Sequence, residues 1–253
     1  MTLKERDLMG GLAKGLKVIE AFTADRPKLS ISEAADVTGY DRATTRRCLL
    51  TLAELGYCAY DGKYFTVTPR ILRLGTGCLA AMPLPRIVQP YLDQLSEQIH
   101  QSTSVSILDG SEIVYVARAA QQRVMSVTLM PGSRLPAYCT SMGRVLLAAL
   151  PEEQAKDILM AGPLHARTPR TETSPRRLLD QLRHIREHGF AAIDQEVEMG
   201  LRSIAVPLTD FRRTTVAALN VGFAATTEPL ECLVQKYLPS LQAIQAEISG
   251  TLR

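Results

Sequence analysis

The sequence predicts an α+β chain in two parts: a small bundle of three helices closed by a β-hairpin, then a larger antiparallel layer of strands with helices grouped at its ends. Three observations carry this. Residues 29–57 hold two short helical segments joined at a glycine, the second opening on a run of arginines. Directly behind them, Asp61-Gly62 separates two short apolar runs. Beyond Met82-Pro83-Leu84-Pro85 the strands come in hairpin pairs, which speaks for antiparallel pairing over βαβ winding.

Residues 1–11 are polar, with Lys4 and Arg6 available as a phosphate-seeking arm. Leu12, Leu16, Val18, Ile19 and Phe22 mark an amphipathic helix to about Ala24, broken at Arg26-Pro27. Ser30 and Glu33 have the spacing of a capping box, in which each residue satisfies a free N–H near the other. Ala34, Ala35 and Val37 form a small apolar face, and Gly39 ends the helix because glycine takes the left-handed backbone without a Cβ penalty. Asp41 caps the next helix, which runs to about Leu55 and stops at Gly56. Cys48, Leu49, Leu52 and Leu55 recur at helical spacing and predict its buried face.

Arg42, Thr44, Thr45, Arg46 and Arg47 crowd the first turns of that helix, with little acid to neutralise them. Two helices of which the second is basic at its N-terminal end are what a helix-turn-helix needs to seat in a major groove. A solvated charged helix inside an ordinary bundle would carry the same residues. Residues 58–60 and 64–67 read as strands around Asp61-Gly62-Lys63. Three helices and a hairpin make a winged helix-turn-helix with Lys63 and Tyr64 on the wing, although such a hairpin also serves as plain core closure. A helical segment covers residues 70–82, and the prolines behind it mark a domain boundary. The expected division is 1–69 for the DNA-binding domain, 70–84 for a linker helix and 85–253 for the second domain.

The 253 residues suit one or two domains, and 46% hydrophobic content is ordinary for a globular protein with a real core. Net charge is +3, and the excess lies in residues 1–73, which carry 12 Lys/Arg against 9 Asp/Glu. That permits a nucleic-acid face without demanding one. Five cysteines, widely spaced and without C-x-x-C, argue against a disulfide framework or zinc site and for a reduced cytoplasmic setting. The absence of a long apolar run or leader pattern leads to the same expectation, with no membrane involved.

The second part reads as a helix over 87–98, strands over 104–108 and 113–119 around Asp109-Gly110, and a third strand over 124–130. Helices follow over 140–150, 152–160 and 175–188, the last stopped by Gly189. Strands over 190–193, 203–208 and 215–223 precede a closing helix over 230–252. Strand alternation places Ser203, Ala205 and Pro207 on one side, beside Ala218, Asn220 and Gly222. A face so small and partly polar either admits a helix closely or leaves a hollow. The stretch Tyr138-Cys139-Thr140-Ser141-Met142-Gly143 favours the hollow. Thr140 and Ser141 sit at a helix start, where free N–H groups attract an anion, and Gly143 lets another group come close. A carboxylate there, with Ser203 and Asn220 as further polar points, gives a mostly apolar pocket; Tyr138, at the head of the same stretch, is counted with it. Enzymatic signals are poor: His184, Glu187 and His188 lack the H-E-x-x-H order and suit a solvated helix face, and nothing places a base or nucleophile beside Asp194, Glu196 or Glu198. An enzyme using the Ser141, Ser203 and Asn220 hollow stays as the alternative.

Across nearly its whole length the chain resembles the IclR-type bacterial transcription regulators. GLAKGLKVIEAF resembles that family's first helix, TGYDRATTRRCLLTLAELGY its recognition helix, and YFTVTPRILRLG its wing and linker start. GSRLPAYCTSMGRVLLAAL and GFAAIDQEVEMGLRSIAVPLTD match two effector-domain motifs. The DQEVEMGLRSIAVPL and VAALNVG wording is nearest to the branch governing aromatic-acid catabolism (protocatechuate, 4-hydroxybenzoate and β-ketoadipate routes). The resemblance implies a winged helix-turn-helix joined by a helix to a GAF-like effector domain, acting without a cofactor as a dimer or tetramer on palindromic double-stranded operators. It also implies a small organic acid, aromatic or dicarboxylic, at Ser141, Met142, Ser203, Asn220 and Gly222. Two departures stand out. Arg144 occupies a position where Lys is usual. Ile193 replaces the first of two acidic residues at a pocket position, which leans toward a larger or aromatic acid.

Overall fold

A computed structural model describes residues 8–23, 25–121, 129–225 and 228–252, which divide into two compact units between Ala81 and Met82. In the first unit α1 (Gly10–Glu20) starts inside the stretch read as a polar arm. Helices α2 (Ile31–Thr38) and α3 (Arg42–Glu54) follow, with strands β1 (Lys28–Leu29), β2 (Cys58–Tyr60) and β3 (Phe65–Val67). The capping box at α2 forms as expected: Ser30 Oγ accepts from Glu33 N, and a Glu33 oxygen accepts from Ser30 N at 2.7 Å. Gly39 then ends the helix at φ 73°. The strands form one sheet in the order β1-β3-β2. Strand β1, two residues long, is too short to show any period and is absent from the sequence reading. Its Leu29 pairs with Phe65, which is fully buried with Val18, Ala34 and Leu49.

Two expected core positions on α2 and α3 are corrected. Val37 and Leu55 are exposed, while Thr38 and Thr45 take the buried places on α2 and α3. Threonine hydroxyls bury readily by bonding back to a helix carbonyl, as Thr38 does to Ala34 O at 2.7 Å. Leu12 and Leu16 on α1 are also exposed, at 61% and 47%, so the apolar stripe there is wider than the core it serves. The segment expected over 70–82 is a short 3-10 turn, Pro69–Ile71, followed by α4 (Leu72–Ala81).

The second unit opens with α5 (Pro83–Ile99), four residues earlier than expected. Pro83 and Pro85 lie in its first turn, where the N–H that proline lacks has no helical partner anyway. Strands β4 (Ser102–Asp109), β5 (Glu112–Ala119), β6 (Arg134–Pro136), β7 (Ala191–Asp194), β8 (Leu201–Thr209) and β9 (Thr215–Ala224) form one antiparallel sheet in the order β6-β5-β4-β9-β8-β7. Helices α6 (Ser141–Ala148), α7 (Glu152–Met160), α8 (Pro175–His188) and α9 (Leu230–Thr251) cover it. One sheet face carries Ile204, Val206, Leu208, Leu219 and Val221 against α5 and α9. The other carries Tyr115, Ala205 and Ala218 against α6 and α8. The strand expected over 124–130 falls mostly outside the described residues; Leu129 and Met130 are not in a strand. Strand β6 escaped notice because it is three residues long and ends in a proline.

Candidate nucleic-acid interface and ligand cavity

In the first unit Asp41 holds the start of α3 open to solvent. Its two carboxylate oxygens accept from Thr44 N and Thr44 Oγ1, both at 2.7 Å. Those bonds, the backbone one foremost, hold its pKa below the ordinary range. Arg42, Arg46 and Arg47 project from the same turns and are exposed. Thr45, expected among the contacts, is fully buried and donates its hydroxyl to Asp41 O at 3.0 Å, which removes it from any groove-facing set. On the hairpin, Asp61 Oδ1 accepts from Lys63 N at 2.9 Å and Tyr64 N at 2.7 Å. Gly62 supplies the positive φ of 103° that the tight turn requires. The Tyr64 ring has the ammonium groups of Lys63 and Lys28 each 4.9 Å from its centroid. Lys28 therefore joins the wing surface although it lies far back in sequence; only the pairing of β1 with β3 brings it there.

In the second unit the small-residue face does border a hollow. Ser203 on β8 stands opposite Gly222 on β9, which stands opposite Ser102 on β4. In the next row Asn220 stands opposite Ser104, and Ser104 opposite Arg118. Over this face sits the N-terminus of α6, and the cavity between is lined by Thr140, Ser141, Met142, Ser203, Asn220 and Gly222, with Tyr115, Arg118, Leu129, Val197 and Leu201 among the rest. Ser203 Oγ donates to Ser141 Oγ at 2.8 Å, and Ser106 Oγ to Met142 Sδ at 3.2 Å. Cavity volume is about 30 Å³, room for about two water molecules, so any larger guest would need part of the wall to move aside.

Sequence reasoning missed Arg118 for a specific reason. Tyr115 and Arg118 are an odd number of residues apart and should face opposite ways on a regular strand. Val105 pairs with Ala117 while Ser106 pairs with Tyr115, so Val116 is an extra residue in β5. This bulge reverses the phase and brings both side chains to the cavity. The guanidinium donates from Nη1 to Ser104 Oγ at 2.9 Å, and no described carboxylate pairs with it. Burial lowers its pKa, the mark of a cation short of solvent. Burial likewise pushes the Tyr115 phenol up to about 12, so it stays protonated. The serines had a readable signal: Ser102, Ser104 and Ser106 alternate along one strand and share its cavity side.

Four expectations about the site are corrected. Tyr138 does not line the cavity; its hydroxyl donates to His165 O at 2.6 Å and pins the turn before α6. Gly143 admits the chain's own backbone, not a ligand: a Cβ there would lie 2.2 Å from Ala137 O and 2.4 Å from Ala137 Cα. Thr140 caps α6 rather than starting it, and its Oγ1 accepts from Gly143 N at 3.1 Å. Ile193 is buried but lies one strand beyond the cavity, with Ser203 between, so it says nothing about ligand size. Gly143→Ala is therefore expected to destabilise the second unit by about 1–3 kcal/mol, read as a fall of several degrees in its thermal transition. Arg144 is buried at 4% exposure, donating to Tyr138 O at 2.7 Å and to Glu196 Oε2 at 2.5 Å. His184, Glu187 and His188 lie exposed on α8 away from the cavity. No single helix among the described residues is long and apolar enough to cross a membrane.

One unit shaped to read DNA and another shaped to hold a small molecule define a one-component transcriptional regulator. Residues 11–62 match the model of the IclR helix-turn-helix domain, and residues 76–250 that of the bacterial transcriptional regulator IclR C-terminal domain. The chain is 42% identical to the Pca regulon regulatory protein of Pseudomonas putida over 97% of its own length and 85% of that protein. It is 35% identical to the p-hydroxybenzoate hydroxylase transcriptional activator of Acinetobacter baylyi, over 97% and 93%. An IclR family transcriptional regulator from Brucella abortus superposes with a TM-score of 0.84 at 28% identity, over 98% of this chain and 94% of that one. The chain belongs to the IclR family of bacterial transcriptional regulators. Its relatives are regulators, and it is a regulator rather than an enzyme.

Proposed function

We propose that the chain controls a catabolic operon for aromatic acids, binding its operator through α3 and the wing and releasing or engaging it in response to a small organic acid. The observation that carries the sensing half is the half-buried Arg118 guanidinium, with no described carboxylate beside it, in a cavity otherwise lined by neutral groups. An acid supplies the missing anion, with Ser141, Ser203 and Asn220 as neutral polar contacts and Met142, Gly222 and Thr140 as wall. Regulators named for the Pca regulon and for p-hydroxybenzoate hydroxylase, similar over nearly the full chain, support aromatic or derived dicarboxylic acids as the class.

On the DNA side Arg42, Thr44, Arg46 and Arg47 contact bases and phosphates, and Lys63, Tyr64 and Lys28 add backbone contacts from the wing. The exposed leucines of α1 and α4, Leu12, Leu16, Leu72 and Leu74, form the face of a homodimer, which a palindromic operator requires. The domain limits follow: 1–69 for reading, 70–84 for linking, 85–253 for sensing and assembly. The acid acts through unequal affinity for the DNA-competent and incompetent arrangements of that dimer.

Selecting duplexes from a random pool and titrating the enriched sequence with and without aromatic and dicarboxylic acids tests this reading. A palindromic product whose affinity shifts with one acid supports it; no enrichment would sink it. Among single variants, Arg42→Ala, Arg46→Ala or Arg47→Ala at a base contact should cost about 1–3 kcal/mol and relax preference at one position. Loss of a phosphate contact should weaken all duplexes alike and lower the salt slope by about one. Equal loss on selected and scrambled duplexes for all three arginines excludes direct readout by α3.

A further inference from the structure

Two of the chain's four histidines, His184 and His188, stand one turn apart at the C-terminal end of α8, with Glu187 between them. Residues three and four apart share one helix face, and all three side chains are exposed there. One ligand atom from each lies within 4.8 Å of the others, and the two imidazole rings are 3.8 Å apart at their centroids. His188 Nδ1 donates to His184 O at 2.8 Å. A carbonyl oxygen only accepts, so Nδ1 carries the proton and Nε2 keeps its lone pair. A backbone carbonyl in this role fixes the tautomer and the ring orientation of metal-ligating histidines. The cations nearest in sequence are engaged elsewhere: Arg183 bonds Asp180 and Glu152, and Arg186 bonds the carbonyls of Ala148 and Leu150. Among the described residues no ion pair takes Glu187.

We propose that His184, Glu187 and His188 form a surface site for a divalent transition-metal ion of the zinc class, with water completing the coordination. Two imidazoles and a carboxylate suit zinc, nickel or copper, whereas magnesium and calcium call for oxygen ligands throughout. Ligands about 2.1 Å from one tetrahedral ion lie about 3.4 Å apart, so the three groups must draw together by about 1 Å. Exposed side chains do this by turning about their own χ angles. The end of α8 adds to the attraction. Gly189 stops the helix directly after His188, and the last carbonyls carry the partial negative charge that favours a cation. On the other face of the same turns Leu182 and Ile185 are buried in one core with Met142 and Val145 of α6. A metal ion clipping the last turn therefore stabilises the second unit. The site uses none of the five cysteines, and it is independent of the ligand cavity and of the DNA-facing surface.

Calorimetric titration of the chelator-treated, reduced full-length protein with zinc ion alone tests this. One zinc ion per chain should bind in a saturable step, and excess magnesium should not displace it. Saturating zinc should raise the thermal transition of the second unit by several degrees. His184→Gln and His188→Gln should each weaken zinc binding at least about tenfold and abolish the thermal shift, and Glu187→Gln should weaken it by a smaller factor. His100→Gln and His165→Gln should bind zinc as the wild type does. Because the three ligands are exposed, the metal-free variants should unfold within a degree or two of the wild type, which separates lost coordination from lost folding. Titration with cobalt ion reads the donor atoms, and its absorption should lack the thiolate charge-transfer band. No zinc binding by the wild type overturns the proposal. So does binding that survives in both His184→Gln and His188→Gln, or a thiolate band with cobalt, which would move the metal to a cysteine.

Discussion

Replacing Arg118 with glutamine is expected to weaken effector binding by about 10- to 150-fold while leaving DNA affinity in the absence of the acid unchanged. A hydrogen bond to a charged group is worth about 1.5–3 kcal/mol, and the glutamine amide keeps a donor near Ser104 without the charge. The variant should fold as well as the wild type, or better, because it relieves a guanidinium held partly out of water beside neutral groups. Titration calorimetry reads the first effect and thermal unfolding the second. Arg118→Lys should recover only part of the affinity, since an ammonium cannot reproduce the planar, two-pronged match to a carboxylate. If Arg118→Gln binds the acid as tightly as the wild type, the anion is held elsewhere, and the N-terminus of α6 becomes the next place to look.

The second large effect is expected from the ion pair behind that helix. Arg144 and Glu196 meet with their side chains 4% and 11% exposed, and Glu196 Oε2 also accepts from Glu172 N at 2.8 Å. Removing either partner strands the other charge in the interior, at a cost of about 3–5 kcal/mol. For a unit of this size the thermal transition should fall by about 6–20 °C. Replacing both at once, Arg144→Met with Glu196→Leu, should regain much of the loss, although Tyr138 O and Glu172 N would still lack their partners. Arg144→Lys keeps the charge and should cost far less than Arg144→Ala. Equal destabilisation by the single and double changes would show that the backbone contacts of the pair, not its charges, hold the turn at 195–200 in place.

How legible all this was in the sequence depended on whether the deciding interaction was local. The capping box of Ser30 and Glu33, the stop at Gly39 and the turn at Gly62 are set within four residues, and the chain spells them out. The split of Ile204 and Val206 from Ala205 also needed only strand alternation, and it placed Ser203 and Asn220 on the cavity side correctly. Misreadings came where a partner distant in sequence intervened. Gly143 looked like an opening for a ligand because nothing nearby shows that the turn at Ala137 folds back onto it. Tyr138 looked like a pocket residue because its bond to His165 spans 27 positions. Arg118 was invisible because a single inserted residue, Val116, reverses the facing of the strand behind it. Lys28 joins the wing only through a strand two residues long.

The cavity is much smaller than its expected guest. An engineered void that admits benzene in another protein measures about 150 Å³, against about 30 Å³ here. An aromatic acid bound there, as proposed, would require part of the lining to move aside, and its entry is then expected to be slower than diffusional encounter. The same step would slow escape, so a bound acid is expected to outlast a brief fall in its external concentration.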